Sequence, residues 1–171
     1  MAPEVYAAMN IVRPTLIRVD SDEATYNLHI MLRFDLERAL LGGELPVAEL
    51  PGAWNERMRE DLGLEVPDDR RGALQDIHWS MAAIGYFPTY TLGNLISAQL
   101  WSAFEQAHPD RDEQIRRGDF SSLLAWLRTN VHRFGRKFEP QELVERVTGS
   151  RIDPEPYLRY LERKYEDVYS L

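Results

Sequence analysis

The stretch from Ser21 to Leu41 constrains this chain most: its apolar residues recur at helical rather than alternating spacing for some twenty positions, until Gly42-Gly43 ends the run. Leu28, Ile30, Met31, Leu32 and Phe34 put apolar groups on several sides of the expected helix, the pattern of a helix enclosed by protein rather than skirting a small one. Asp20 with Glu23 three residues on reads as a capping box, and Asp22 and Glu23 suit the positive start of a helix. The spacing also brings His29 onto one stripe with Asp22, Tyr26 and Arg33, polar groups able to line a cleft or, for His29, to be hydrogen-bonded in the interior.

The same period governs the remainder, with Gly and Pro mostly between the periodic segments, so the fold class is mainly α: a single helical domain over residues 1–171. Further helices are expected at about 3–10, 51–62 (ended by Gly63), 88–106, after Asp119 through Leu123, Leu124, Trp126, Leu127 and Val131, at 140–147 and at 154–168. Thr15 to Asp20 reads as an extended entry to the long helix, and the octapeptide from Gly72 to Trp79 as the opening of a segment that forms a helix of its own. Pro88 fits a first helical turn, where its missing N–H is not needed. His108 and His132 read as helix-end residues.

Charge and composition narrow the function. With 20 Lys and Arg against 28 Asp and Glu, the net charge of −8 disfavours nucleic acid, which is gripped by cationic surfaces. No Cys is present, so neither disulfides nor a thiolate metal site enter the argument. No run approaches the roughly 20 apolar residues a membrane span needs, and the expectation is a soluble, cytoplasmic protein.

Chemistry-bearing residues gather in three segments: Ile17-Arg18-Val19-Asp20-Ser21-Asp22, Gly72-Ala73-Leu74-Gln75-Asp76-Ile77-His78-Trp79 and Gly85-Tyr86-Phe87-Pro88-Thr89-Tyr90. Arg18 could clamp a carboxylate through two parallel hydrogen bonds, or pair with Asp20 or Asp22 to orient the helix entry. Asp76 could fix the tautomer of an imidazole, and His78 could donate to an oxyanion or a substrate carbonyl; a structural polar cluster of Gln75, Asp76, His78 and Trp79 is the alternative. Tyr86 and Tyr90 flank Pro88 at a loop-to-helix junction, where either phenol could reach a cleft or simply pack with Phe87. Ser80, near His78, lacks the strained turn of a nucleophile.

These segments, in this order, resemble the patterns IRxxAD and GxxQDxHW of the carboxypeptidase Taq family of metallopeptidases, with Ser21 where the pattern has Ala. Tyr26-Asn27-Leu28-His29-Ile30, Leu45-Pro46-Val47, Trp54-Asn55 and Thr91-Leu92-Gly93-Asn94-Leu95 extend the likeness from about Ile11 to about Tyr165, matching the last third of a full-length member. The family carries an upstream HExxH helix that holds zinc, whereas no two of His29, His78, His108 and His132 are four apart, so no metal ligands are assigned in this chain. The resemblance implies a C-terminal, substrate-binding region of a zincin-like metallocarboxypeptidase, with no cofactor of its own and zinc in full-length relatives. It implies that Arg18 binds the C-terminal carboxylate of a peptide, with Asp22, Gln75, Asp76 and Trp79 completing the substrate site. It further implies that His78 with Tyr86 or Tyr90 stabilises the oxyanion. The alternative is a free-standing carboxypeptidase-derived module that self-associates as a dimer or homo-oligomer, or binds a protein partner, through an exposed apolar face.

Overall fold

The computed structural model describes residues 3–171, and among these every regular element is helical. The α-helices are α1 (Pro3–Met9), α2 (Tyr26–Gly42), α3 (Leu50–Leu62), α4 (Pro88–Ala107), α5 (Arg111–Arg116), α6 (Ser121–Asn130), α7 (Pro140–Thr148) and α8 (Glu155–Tyr169), with short 3-10 turns at Arg18–Asp20, Val47–Glu49, Trp79–Met81 and His132–Phe134. No helix among the described residues is long and apolar enough to cross a membrane. The chain gathers into two compact units, one of residues up to Thr91 together with Tyr165–Leu171, the other of Leu92–Lys164.

In the first unit α2 packs on α3 around Leu32, Leu36, Trp54, Met58, Leu62 and Ala73. Glycine closes both helices: Gly43, at φ 76°, and Gly63, at φ 69°, adopt the left-handed conformation that turns the chain out of the helix. Behind the first of these, Glu44 N–H reaches back to the Ala39 carbonyl at 2.9 Å. Gly72 meets a different demand. A Cβ there would lie 2.9 Å from Val66 Cγ1 and 3.3 Å from the Asp68 carbonyl oxygen, so only hydrogen fits where the loop crosses under Trp54.

Two expectations need correction in this unit. α2 begins at Tyr26 rather than Ser21, because Asp22 rather than Asp20 gathers the chain at its entry. Asp22 Oδ1 accepts the N–H groups of Ala24 (3.0 Å) and Thr25 (2.9 Å), a tight Asx turn that must be completed before the helix can start. The octapeptide forms no α-helix either. It runs through turns into the 3-10 turn Trp79–Met81, since its polar side chains are drawn to partners far away in sequence.

In the second unit Gln99 of α4 is the buried tie: its Nε2 donates toward Thr148 Oγ1 (3.0 Å), Ser150 Oγ (2.8 Å) and the Arg151 carbonyl (2.9 Å), while its Oε1 accepts Asp153 N–H (3.2 Å). That one side chain pins α4 to the link between α7 and α8. Phe104 is buried beside Trp101, Trp126 and His108, the last stacked on it at 4.4 Å just beyond the end of α4. The six-residue α5 had no counterpart in the sequence reading; its run Arg-Asp-Glu-Gln-Ile-Arg carries too few apolar residues to show a period.

Candidate functional site

Beside the apolar residues that α2 buries against α3 runs a second buried row that is polar. His29, Arg33 and Glu37, spaced by four, are each at most 3% exposed, and they form one buried row along the helix. Buried charge must be compensated, and the compensation comes from the loop segment that starts at Gly72.

Asp76 is the centre of it. Its Oδ1 accepts from Arg18 Nη2 (2.7 Å) and Nε (3.1 Å), while its Oδ2 accepts from Arg33 Nε (2.7 Å). Burial alone would raise the carboxyl's pKa, but hydrogen bonds and charge from the two arginines outweigh it and hold Asp76 below the usual carboxylate range. Arg33 shows the opposite balance: burial leads, and the guanidinium is pushed down to about 10 despite Asp76. Arg33 is also sandwiched against the rings of Trp54 (4.6 Å) and Phe87 (5.3 Å). Two cations thus share one anion, and the cluster keeps an excess positive charge.

Arg18 sits 7% exposed at the rim of this cluster. Its Nη1 donates to the Tyr26 hydroxyl at 2.9 Å, and its guanidinium lies 4.9 Å from the centre of the Tyr90 ring. Of its five N–H donors, one on each terminal nitrogen is left over after Asp76 and Tyr26 are served. The partner is therefore Asp76, not the Asp20 or Asp22 considered from sequence. Asp22 instead holds the helix entry and takes Arg13 N–H at 2.9 Å; burial opposes its ionisation, but these backbone donors keep its pKa low.

Gln75 is fully engaged within the chain. Its Oε1 accepts Arg18 N–H (2.9 Å) and Arg33 Nη2 (2.8 Å), and its Nε2 donates to the carbonyls of Leu16 and Arg71, each at 3.0 Å. Trp79 donates its indole N–H to Glu37 Oε1 at 2.8 Å, and the other carboxylate oxygen of Glu37 accepts Gly85 N–H at 3.1 Å. Glu37 thereby spans the loop between the second and third chemistry-bearing segments.

His78 lies among aromatic rings: Phe87 at 4.4 Å, Tyr86 at 5.6 Å and Tyr90 at 5.8 Å between centroids. Its Nε2 is 2.9 Å from the Tyr90 hydroxyl, so these two residues form a hydrogen-bonded pair. Its Nδ1 is 3.9 Å from Asp76 Oδ1, beyond hydrogen-bonding range, and Asp76 does not fix its tautomer directly because that oxygen already accepts twice from Arg18. Tyr86 is about half exposed. His29 is interior, as expected from sequence, with the Thr15 backbone a weak polar neighbour but neither ring nitrogen in a well-formed hydrogen bond among the described residues. Burial first, then the charges of Arg33 and Arg18, push its pKa down to about 4.

The geometry brings Arg18, Asp76, Gln75, His78 and Tyr90 into one connected cluster, with Trp79 joined through Glu37 to the loop beneath it, while Asp22 stands at the helix entry. Arg33 and Glu37 were absent from the sequence assignment. The stripe through His29 already held Arg33, and one more step of four reaches Glu37. Among the described residues no group of three His, Asp or Glu gathers to hold a metal ion. His29 is enclosed beside two guanidiniums and His78 is taken up by Tyr90, so these imidazoles are poorly suited to a zinc ion.

The helical scaffold buries an arginine pair around one carboxylate and leaves two Arg18 N–H donors unused at its rim. The chain belongs to the carboxypeptidase Taq (M32) metallopeptidase family, whose model matches residues 1–165. Thermostable carboxypeptidase 1 of Thermus thermophilus is 46% identical over 97% of this chain, and that of Pyrococcus furiosus 43% over 95%, yet the matches take in only 32% of each relative. The crystal structure of an M32 carboxypeptidase from Deinococcus radiodurans superposes with a TM-score of 0.95 at 48% identity, over 98% of this chain and 34% of that one. The chain thus spans about a third of the length of the relatives it matches.

Proposed function

We propose that this chain is the substrate-binding, C-terminal part of a zinc metallocarboxypeptidase, which in the intact enzyme releases single residues from peptide C-termini. The observation that carries the reading is the two-to-one arginine cluster: Arg18, held by Asp76 and Tyr26, keeps two N–H donors and sits where excess positive charge attracts a carboxylate. The relatives that this chain matches are named carboxypeptidases, which supports a peptide's free C-terminus as the ligand. His78 and Tyr90, coupled through Nε2, with the Tyr90 ring beside Arg18, would donate a hydrogen bond to the developing oxyanion, with the half-exposed Tyr86 next to them. When bound to an intact relative, zinc supplies the Lewis acid and the activated water. The chain by itself is therefore proposed not to hydrolyse peptides; chelator-sensitive carboxypeptidase activity from the purified 171 residues would refute this.

Carboxylate recognition is tested on the unsubstituted chain by NMR titration with an N-acyl dipeptide and with the same dipeptide as its C-terminal amide. The acid should shift the Arg18 Nε–H and Tyr90 ring resonances, and the amide should not. Equal responses, or none with the acid, would sink the assignment of Arg18.

A further inference from the structure

Between positions 74 and 86 the usual distribution of side chains is inverted. Gln75, Asp76, His78 and Trp79 turn inward and are held by Arg18, Arg33, Tyr90 and Glu37. Leu74 (71% exposed), Ile77 (66%) and Met81 (67%) turn out to solvent, with Ile84 also exposed. Apolar groups left in water along one short segment lose the stabilisation that burial supplies, and such concentrations mark surfaces that another polypeptide covers. The segment is not loose. The 3-10 turn Trp79–Met81 closes through Ala82, which is held at φ 57°, and Glu37 clamps the segment at Trp79 and Gly85.

We infer that Leu74, Ile77, Met81 and Ile84 form the docking surface for the polypeptide that makes up the other two-thirds of an M32 carboxypeptidase. The occupant follows from the superposition: nearly all of this chain is reproduced, at a TM-score of 0.95, inside a chain of which it covers 34%. A fold preserved that closely within a molecule about three times its length meets the remainder of that molecule on some face, and the inverted segment concentrates four exposed apolar residues within eleven positions beside the cluster. Polar residues are fixed inward by the ionic network, so the apolar residues between them, at 74, 77, 81 and 84, are left outside and need a partner. This assignment rests on the reading of the chain as one part of a larger carboxypeptidase.

The test compares I77R/M81R in two settings. In the 171-residue chain alone, where both side chains face water, the double substitution should leave the melting temperature within ~2 °C. In a chimera in which this chain replaces the matching third of the Deinococcus radiodurans enzyme, it should lower the melting temperature by ~5 °C or more. The same two positions substituted in the unaltered Deinococcus radiodurans enzyme provide the reading should the chimera not fold. No added loss in the longer protein overturns the proposal. So does an equal loss in both settings, which would make the residues internal packing, and so does concentration-dependent self-association of the isolated chain that the substitutions abolish, which would make the occupant a second copy. Carboxypeptidase activity of the unsubstituted chimera is scored separately: a folded but inactive chimera that still shows the melting difference retires the functional reading and leaves the surface in place.

Discussion

Replacing Asp76 by Asn removes the one anion that two buried guanidiniums share. Arg33 is fully buried and Arg18 is 7% exposed at the rim, and their hydrogen bonds to Asp76 range from 2.7 to 3.1 Å, so Arg33 has no water to turn to and Arg18 has little. Breaking a buried ion pair by deleting one partner costs about 3–5 kcal/mol, because the survivor is left uncompensated. Here two survivors of like charge remain, which places D76N at the upper end of that range. For a chain of this size each kcal/mol moves the melting temperature by ~2–4 °C, so a loss of about 5 kcal/mol gives a fall of roughly 10–20 °C. Urea unfolding followed by circular dichroism measures it, with the midpoint falling and the slope unchanged if the native fold persists.

The pH dependence gives that prediction its sign. Asp76 is depressed in the folded state, so its contribution is fully present above the unfolded carboxyl value of about 3.9 and is lost as pH falls through the lower folded value. The gap between wild type and D76N should be constant from neutrality down to about pH 4 and close only below it. Adding Arg18→Met to D76N should recover part of the loss by removing one orphaned cation. A D76N variant within ~1 kcal/mol of wild type at pH 7, or a gap that closes well above pH 4, would show that the cluster does not hold the fold together as described.

Three further perturbations follow. His29 stays neutral in the folded chain to about pH 4, whereas the unfolded chain protonates it near 6.5, so wild type should lose up to ~3 kcal/mol between those values. His29→Leu should lack that acid limb and be no less stable at pH 7, checked by urea midpoints across pH, because an apolar side chain replaces a polar ring that lacks a well-formed hydrogen bond. Gly72→Ala should cost about 1–3 kcal/mol from its collision with Val66 and the Asp68 carbonyl, and Val66→Ala in the same chain should return part of it in thermal melts. Glu37→Gln puts an amide donor where two donors converge; it should speed hydrogen exchange at Gly85 N–H, red-shift the fluorescence contributed by Trp79, and cost about 1–3 kcal/mol.

What was legible in the sequence is what depends on neighbours in sequence. The stops at Gly43 and Gly63, the Pro88 start of α4 and the end of the last helix all rest on local backbone preferences, and they fall within a residue or two of expectation. The start of α2 differs from expectation because two carboxylates near it, Asp20 and Asp22, both suit a helix entry, and it is Asp22 that gathers the Ala24 and Thr25 N–H groups together with that of Arg13. From sequence the octapeptide opens a segment with a helix of its own. What decides its course is the pull of Arg18 and Arg33 on Asp76 across 58 and 43 residues, which no local period records. Arg33 stands on the stripe as one of the polar groups able to line a cleft; its burial makes sense only once the Asp76 carboxylate is placed beside it.

This dependence also governs how the proposed function must be tested. Arg18 is oriented by Asp76, Asp76 is kept ionised by Arg33 as well as Arg18, and Gln75 joins the backbone of Arg18 to the guanidinium of Arg33. Substituting any one of them disturbs the ligand donors and the fold together, so a loss of peptide binding in such a variant reports both at once. A change confined to the ligand separates them. Exchanging a terminal carboxylate for an amide alters the charge presented to Arg18 while every buried bond in the protein stays in place, and discrimination between the two can come only from the surplus cation at the rim of the cluster.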